Sequence, residues 1–234
     1  MPADEQDAII AALTPVIDGI AATLGSFCEV VIHDFRRPER SVVALAGSVT
    51  GRGVGGSMSE IGMKILAAGE EARDELNYIT RTQDGKMVKS STMVLRDSGG
   101  TVFGALCVNL DITAVNQVHA LVGELAGVTP STEAVPTTTF GDDIGAVLSA
   151  IVDDRRLREN KSWAELSRAE RLKLFGDLDQ QGVFAVRGAV QQVAARLGIS
   201  RASAYNYLAG ARSGEGGIGP LTEPSPEEET HSLG

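Results

Sequence analysis

Arg201, Ser203, Tyr205 and Asn206 place a guanidinium, an aliphatic hydroxyl, a phenol and an amide within one short stretch. Such groups bond to base edges and phosphates in a DNA major groove, where arginine pairs with guanine and asparagine with adenine. That chemistry needs a helix whose other side is apolar, and Ala204, Tyr207 and Leu208 supply the apolar side. Ser200 stands where it can cap this helix by accepting from its free amides. Upstream, Val190, Val193, Ala194 and Leu197 recur at three- and four-residue intervals and predict a preceding helix, with Gln191, Gln192 and Arg196 on its wet side. Gly198 offers the backbone freedom for a sharp turn, Ile199 plugs the corner, and Ala194 is small enough to let the helices approach. Residues 182–208 therefore fit a DNA-reading helix-turn-helix, with Arg187 and Arg196 adding attraction for phosphates. The competing reading is an ordinary helical hairpin. Charge favours nucleic acid: from Arg155 to Arg212 there are eleven Lys and Arg against five Asp and Glu, in a chain of formal net charge −10. Double-stranded operator DNA is the expected partner. A homodimer is the expected form, because one short helix contacts too few bases for useful specificity.

A second set of chemical groups lies in the first half of the chain. FCEVVIHDF reads as a strand, so Cys28, Val30, Ile32 and Asp34 point one way and Glu29, Val31, His33 and Phe35 the other. Whichever face meets the core buries an ionisable group, which needs a partner. His33 or Asp34 either bonds nearby loop backbone or meets a ligand. Arg52, in a glycine-rich loop, can clamp a carboxylate or stay solvated. Ser91, on one strand, shares a face with Met93 and Leu95, so its hydroxyl is expected to line a pocket, and Asn109 ends another strand beside Cys107. His33, Asp34, Arg52, Ser91 and Asn109 are thus the candidate contacts for a small polar effector, such as an amino acid or a related carboxylate. A Cys107 nucleophile with His33 as base would make the chain an enzyme instead, but no motif activates the thiol. A lone strand histidine is also thin support for a haem ligand, so no cofactor is expected.

The elements that must position these groups follow from composition. A helix near residues 7–24 leads into the FCEVVIHDF strand, and residues 41–47 form its hairpin partner. Residues 59–76 look helical. Three further strands, NYITRTQ, KMVKSSTMVLRD and TVFGALCVNLD, are joined by Asp84-Gly85 and Ser-Gly-Gly turns, and a helix from about Ala114 to Ala126 follows. Two strands, a helix and three antiparallel strands is the order of a PAS-like sensor. Residues 1–128 form this domain and 129–141, rich in Thr and Pro, a linker. Residues 142–212 form an all-helical domain: a helix near 142–159, a second started by a Ser167–Glu170 capping box, then the helix-turn-helix. Residues 213–234 are acidic and too poor in apolar groups to fold. The fold class is α+β. Two cysteines and no metal-ligand spacing argue against a disulfide framework or structural metal. The acidic N-terminus and the lack of an apolar run near 18 residues place the protein in the cytoplasm, away from membranes.

LGSFCEVVIHDF, SVTGRGVG, KSSTMVLRD and GALCVNLDIT resemble the YheO-like PAS domain. GVFAVRGAVQQVAARLGISRASAYNYL resembles the DauR-type helix-turn-helix that follows it in bacterial transcriptional regulators. The resemblance covers most of residues 8–208. It implies a PAS domain that senses a small metabolite, set in amino-acid catabolism, and a C-terminal domain that binds operator DNA. A PAS module that only pairs proteins, without a ligand, is the alternative.

Overall fold

The computed structural model describes residues 2–128, 135, 138, 140, 141, 143–159 and 162–214. Most of the expected linker and the tail from residue 215 lie outside them. Five antiparallel strands, β1 (Cys28–Asp34), β2 (Val42–Gly47), β3 (Glu75–Arg81), β4 (Met87–Arg96) and β5 (Val102–Asp111), form one sheet in the order β2-β1-β5-β4-β3. Both faces are covered, so every residue of β1 is buried.

Helix α1 (Pro2–Leu24) covers one face through Ile17, Ile10, Leu13, Ile20 and Ala21, which meet Cys28, Val30, Ile32 and Leu106. Contrary to the sequence expectation, its span Glu5–Leu24 is long and apolar enough to cross a bilayer, with mean hydropathy 1.6. Its exposed side carries Val16 and Leu24 as well as the small Ala8, Ala11, Ala12 and Ala22. Polar contacts tie the same helix to the sheet: Gln6 donates to Asp97 at 2.8 Å, Glu5 accepts from Ser98, and Asp7 pairs with Arg36.

Helix α2 (Glu60–Ala68) covers part of the other face and is shorter than the expected 59–76, because Gly69 turns the chain with φ 54°. Helix α3 (Thr113–Leu125) follows β5 and buries none of its residues. The C-terminal helices are α4 (Ile144–Glu159), α5 (Arg168–Gln180), α6 (Ala189–Leu197) and α7 (Arg201–Arg212). The Ser167–Glu170 capping box starts α5 as expected. Residues 183–185 form a separate 3₁₀ turn rather than the start of α6, since Gly182 and Gly188 both adopt positive φ. Phe175 stacks on Phe184 with centroids 5.7 Å apart, and Trp163 meets Tyr207 edge-on at 5.4 Å. Arg171 caps this aromatic cluster, lying over Trp163 and donating to its carbonyl oxygen at 3.0 Å.

The two halves share one core. Met63 and Ile65 of α2 belong to the same buried cluster as Val183, Val193 and Leu197. Gly182 sits at φ 76°, and a Cβ there would lie 2.2 Å from the Met63 carbonyl oxygen. Gly182→Ala should therefore cost about 1–2 kcal/mol from backbone strain alone, and the clash should also loosen the junction. The expected result is a lower melting temperature and faster proteolysis between the halves. An unchanged melting curve would contradict this packing.

Candidate DNA interface and sensor cavity

Helices α6 and α7 meet at Gly198, which closes α6 with φ 70° and ψ 31°. Ile199 N–H returns to the Ala194 carbonyl at 2.9 Å, a helix-ending turn of the kind glycine permits. Val193, Ala194, Leu197, Ala204 and Leu208 are buried, as the spacing requires. Ser200 is the cap of α7, its Oγ accepting from Ser203 N–H at 3.0 Å. Ser203 Oγ is 2.9 Å from the Ser200 Oγ, so this hydroxyl belongs to the capping cluster.

Arg201, Ala202, Tyr205 and Asn206 remain exposed on the first turns of α7. Tyr207 turns inward to the aromatic cluster, fixing the rotation of the helix. Arg187 and Arg201 are exposed and form no ion pair among the described residues. Arg196 differs from expectation: Asp153 of α4 holds its guanidinium in a two-bond pair, with Nε donating to Oδ1 at 2.9 Å. That pairing raises its pKa further and offsets its charge, so it clips α6 to α4. Arg212 is held likewise by Asp179. The basic balance of the segment is therefore partly spent internally, while Arg187 precedes α6 and Arg201 opens α7.

On the sheet face opposite α1, β1, β4 and β5 bring Glu29, His33, Ser90, Thr92, Cys107 and Asn109 together in register. Glu29 is fully buried. Its carboxylate accepts from Val49 N–H and Thr50 N–H, each at 2.9 Å, from Thr50 Oγ, and from Asn109 Nδ2 at 3.0 Å. Ser90 Oγ supports Asn109 by donating to its Oδ1 at 2.8 Å. Arg52 is buried with them, its Nη2 3.6 Å from Glu29 Oε1 and its Nε donating to Thr50 Oγ at 3.0 Å.

Arg52 Nη1 lies 3.3 Å from His33 Nε2, and His33 Nδ1 lies 2.9 Å from Ser41 Oγ. A guanidinium only donates, so Nε2 accepts and the ring proton sits on Nδ1. Burial, reinforced by Arg52, holds the His33 pKa well below its ordinary 6.5. The unfolded chain therefore takes up a proton near pH 6.5 that the folded chain does not, and stability falls as pH drops through that value. His33→Asn should flatten the dependence of the urea midpoint on pH between about 7.5 and 5.5. Equal slopes in the two proteins would refute a neutral buried His33.

Among the five sequence candidates, the structure gathers His33, Arg52 and Asn109. It does not gather Asp34, whose carboxylate accepts from Arg36 N–H at 3.0 Å and from Arg36 Nε and Nη2 at 2.8 Å each, on the α1 side. Nor does it gather Ser91, which shares the α1 face with Val108 and accepts from Asn77 N–H at 3.0 Å, bracing a bulge where Asn77 has φ 59°. The residues missed are Glu29, Thr50, Ser90, Thr92 and Tyr78; alternation along β1 had already put Glu29 on the His33 face. The Cys107–His33 pairing is also not formed. Both ring nitrogens of His33 are engaged elsewhere, and burial pushes the Cys107 thiol up, away from a reactive thiolate.

The space left inside is a small cavity of about 10 Å³, bounded by His33, Arg52, Thr92, Tyr78, Gly62 and Phe140. It has room for about one water. Phe140 belongs to the expected linker, yet its ring covers Arg52 at 4.9 Å. Thr138 is buried against Thr80, and Ser57 donates to the Gly141 carbonyl at 2.9 Å. This end of the linker is thus packed onto the sensor domain. A cleft of about 300 Å³ between the two halves shares Ile61 and Tyr78 with the cavity, and burial pushes the Tyr78 phenol up to about 12.

Comparison with known proteins gives two family matches: the YheO-like PAS domain over residues 4–127 and a helix-turn-helix domain over 147–209. The chain is 29% identical over 227 residues to the uncharacterized protein YheO of Escherichia coli, covering 92% of this chain and 90% of that protein. It is 26% identical over 208 residues to an uncharacterized protein of Haemophilus influenzae, covering 88% and 92%. To the transcriptional regulator DauR of Pseudomonas aeruginosa it is 27% identical over 212 residues, covering 89% and 97%.

Proposed function

Because the chain belongs to the YheO-like PAS family and carries a helix-turn-helix domain, we propose that it is a cytoplasmic, non-enzymatic transcriptional regulator that binds operator DNA as a homodimer. The observation that carries this reading is the exposed face of α7, where Arg201, Tyr205 and Asn206 stand free while Ser200 caps the helix and Tyr207 anchors it. The similarity to DauR, named a transcriptional regulator, supports the same reading. Fluorescence anisotropy of the full chain on labelled duplex from upstream of its own gene tests it. Saturable binding that random duplex of equal length does not compete is expected. Equal affinity for both duplexes would oppose it.

The sensor domain then controls this binding through a small polar metabolite with a carboxylate. Arg52 is the group that would meet the carboxylate, with Asn109, Thr92 and Tyr78 as further polar contacts. The cavity holds only about 10 Å³, so the ligand enters by displacing Phe140 or by parting Ile61 and Tyr78 toward the adjoining cleft. Either movement bears on α2 and on the segment that leads into α4, and so on the core shared with the DNA-binding helices. Ligand binding can shift DNA affinity only as far as its affinities for the two arrangements differ.

A further inference from the structure

Helix α3 is attached to the sheet at its root, where Thr113 Oγ accepts from Met87 N–H at 3.0 Å, and its body buries nothing. Yet Val115, Val118, Leu121, Val122 and Leu125 lie on it, each between 56 and 80% exposed. Residues 115, 118, 122 and 125 repeat at intervals of three, four and three. That is the a/d seam of a helix pair, with valine at both a positions and leucine at the second d, the choice that favours two parallel strands. We propose that α3 pairs side by side with α3 of a second copy of this chain, deepening the dimer reading above by assigning its interface.

Three observations select a second copy. First, the sequence outside the described residues offers no matching stripe. Residues 129–134, TPSTEA, contain no large aliphatic residue, and 215–234 contain Pro220, Pro224 and Pro226 with only Ile218, Leu221 and Leu233 as large aliphatics. Neither stretch carries four large aliphatics at alternating intervals of three and four. Second, the positions flanking the seam, His119, Leu121, Ala126 and Val128, include no acidic residue, lysine or arginine; the acid of the helix, Glu124, lies on its outer side. Two identical helices can therefore lie in register without like charges facing each other, and no oppositely charged partner is demanded.

Third, the apolar surface continues beyond the helix. Thirteen residues make a seam about 20 Å long, which is short for a stable interface of roughly 800 Å² per partner. Asp111 N–H bonds to the Phe27 carbonyl at 2.8 Å, setting Phe27 beside the root of α3, and Phe27 and Leu24 are exposed there too. The pair thus widens at its base onto the end of α1. A parallel arrangement also sends both chains toward their C-terminal domains from the same end of the pair, as two half-sites on one duplex require.

The test is the mass of the full chain by light scattering, with circular dichroism as the control for folding. Wild type should run at twice the chain mass of 24.5 kDa, and Val118→Glu/Val122→Glu at the single mass with an unchanged spectrum. Leu125→Cys should form a disulfide-linked dimer on oxidation, since a parallel pair sets this d position against its own copy. A dimer that survives the double substitution would overturn the seam and leave the two-half-site reading standing. A wild-type monomer would overturn both, leaving the stripe to a different protein. Loss of the dimer in the double variant without a Leu125→Cys cross-link would overturn the parallel pairing.

Discussion

Arg201→Ala/Asn206→Ala should bind specific duplex far more weakly than wild type while keeping its fold. Each side chain is exposed on the first turns of α7 and supports no part of the core, so truncation removes a DNA contact and little else. A well-made two-bond contact to a base edge is worth about 1–3 kcal/mol, or about five- to 150-fold in affinity. If the two act independently, the losses multiply. Arg196→Ala should behave differently, because its guanidinium is committed to Asp153: a modest loss of stability with DNA affinity near that of wild type. Anisotropy titrations at one fixed salt concentration separate the two. Wild-type affinity in the double variant would remove α7 from the interface.

Glu29→Gln should be the most damaging single substitution to stability. The carboxylate is fully buried and accepts from two main-chain amides, the Thr50 hydroxyl and Asn109. An amide in its place points donors at donors and leaves Arg52 buried without a counter-charge. Removing one member of a buried ion pair typically costs about 3–5 kcal/mol, a large share of the roughly 5–15 kcal/mol that holds a domain together. Urea unfolding followed by circular dichroism measures it. A loss below about 1 kcal/mol would show that water reaches this network and relieves it.

Local patterns carried much of the architecture. The strands, the Ser167 capping box, the Gly198 turn and the Ser200 cap each depend on neighbours within a few residues, and each appears where those neighbours require. The candidate site was legible only in part, because contacts distant in sequence decide it. Strand alternation separated His33 from Asp34, but with both sheet faces covered it could not tell which face holds the cavity. Ser91 followed its apolar neighbours Met93 and Leu95 to the α1 side, and the pocket formed beside Thr92 instead. Asp34 was taken by Arg36 two residues on, a turn contact hidden behind the strand pattern. The Arg196–Asp153 pair spans two helices, and Phe140 lies in a Thr- and Pro-rich stretch that composition assigns to a linker. Helix α1 looked less apolar than it is because Thr14, Pro15, Asp18 and Gly19 interrupt its aliphatic residues.

The most direct test of DNA reading by this chain is a selection of tight binders from a random duplex pool by the purified full-length protein, run beside Arg201→Ala/Asn206→Ala. Wild type should enrich a two-fold-symmetric sequence whose half-sites are centred about 10 base pairs apart, or a multiple of that, and the double variant should not. A wild-type pool that stays random, or an identical motif from both proteins, would contradict the account.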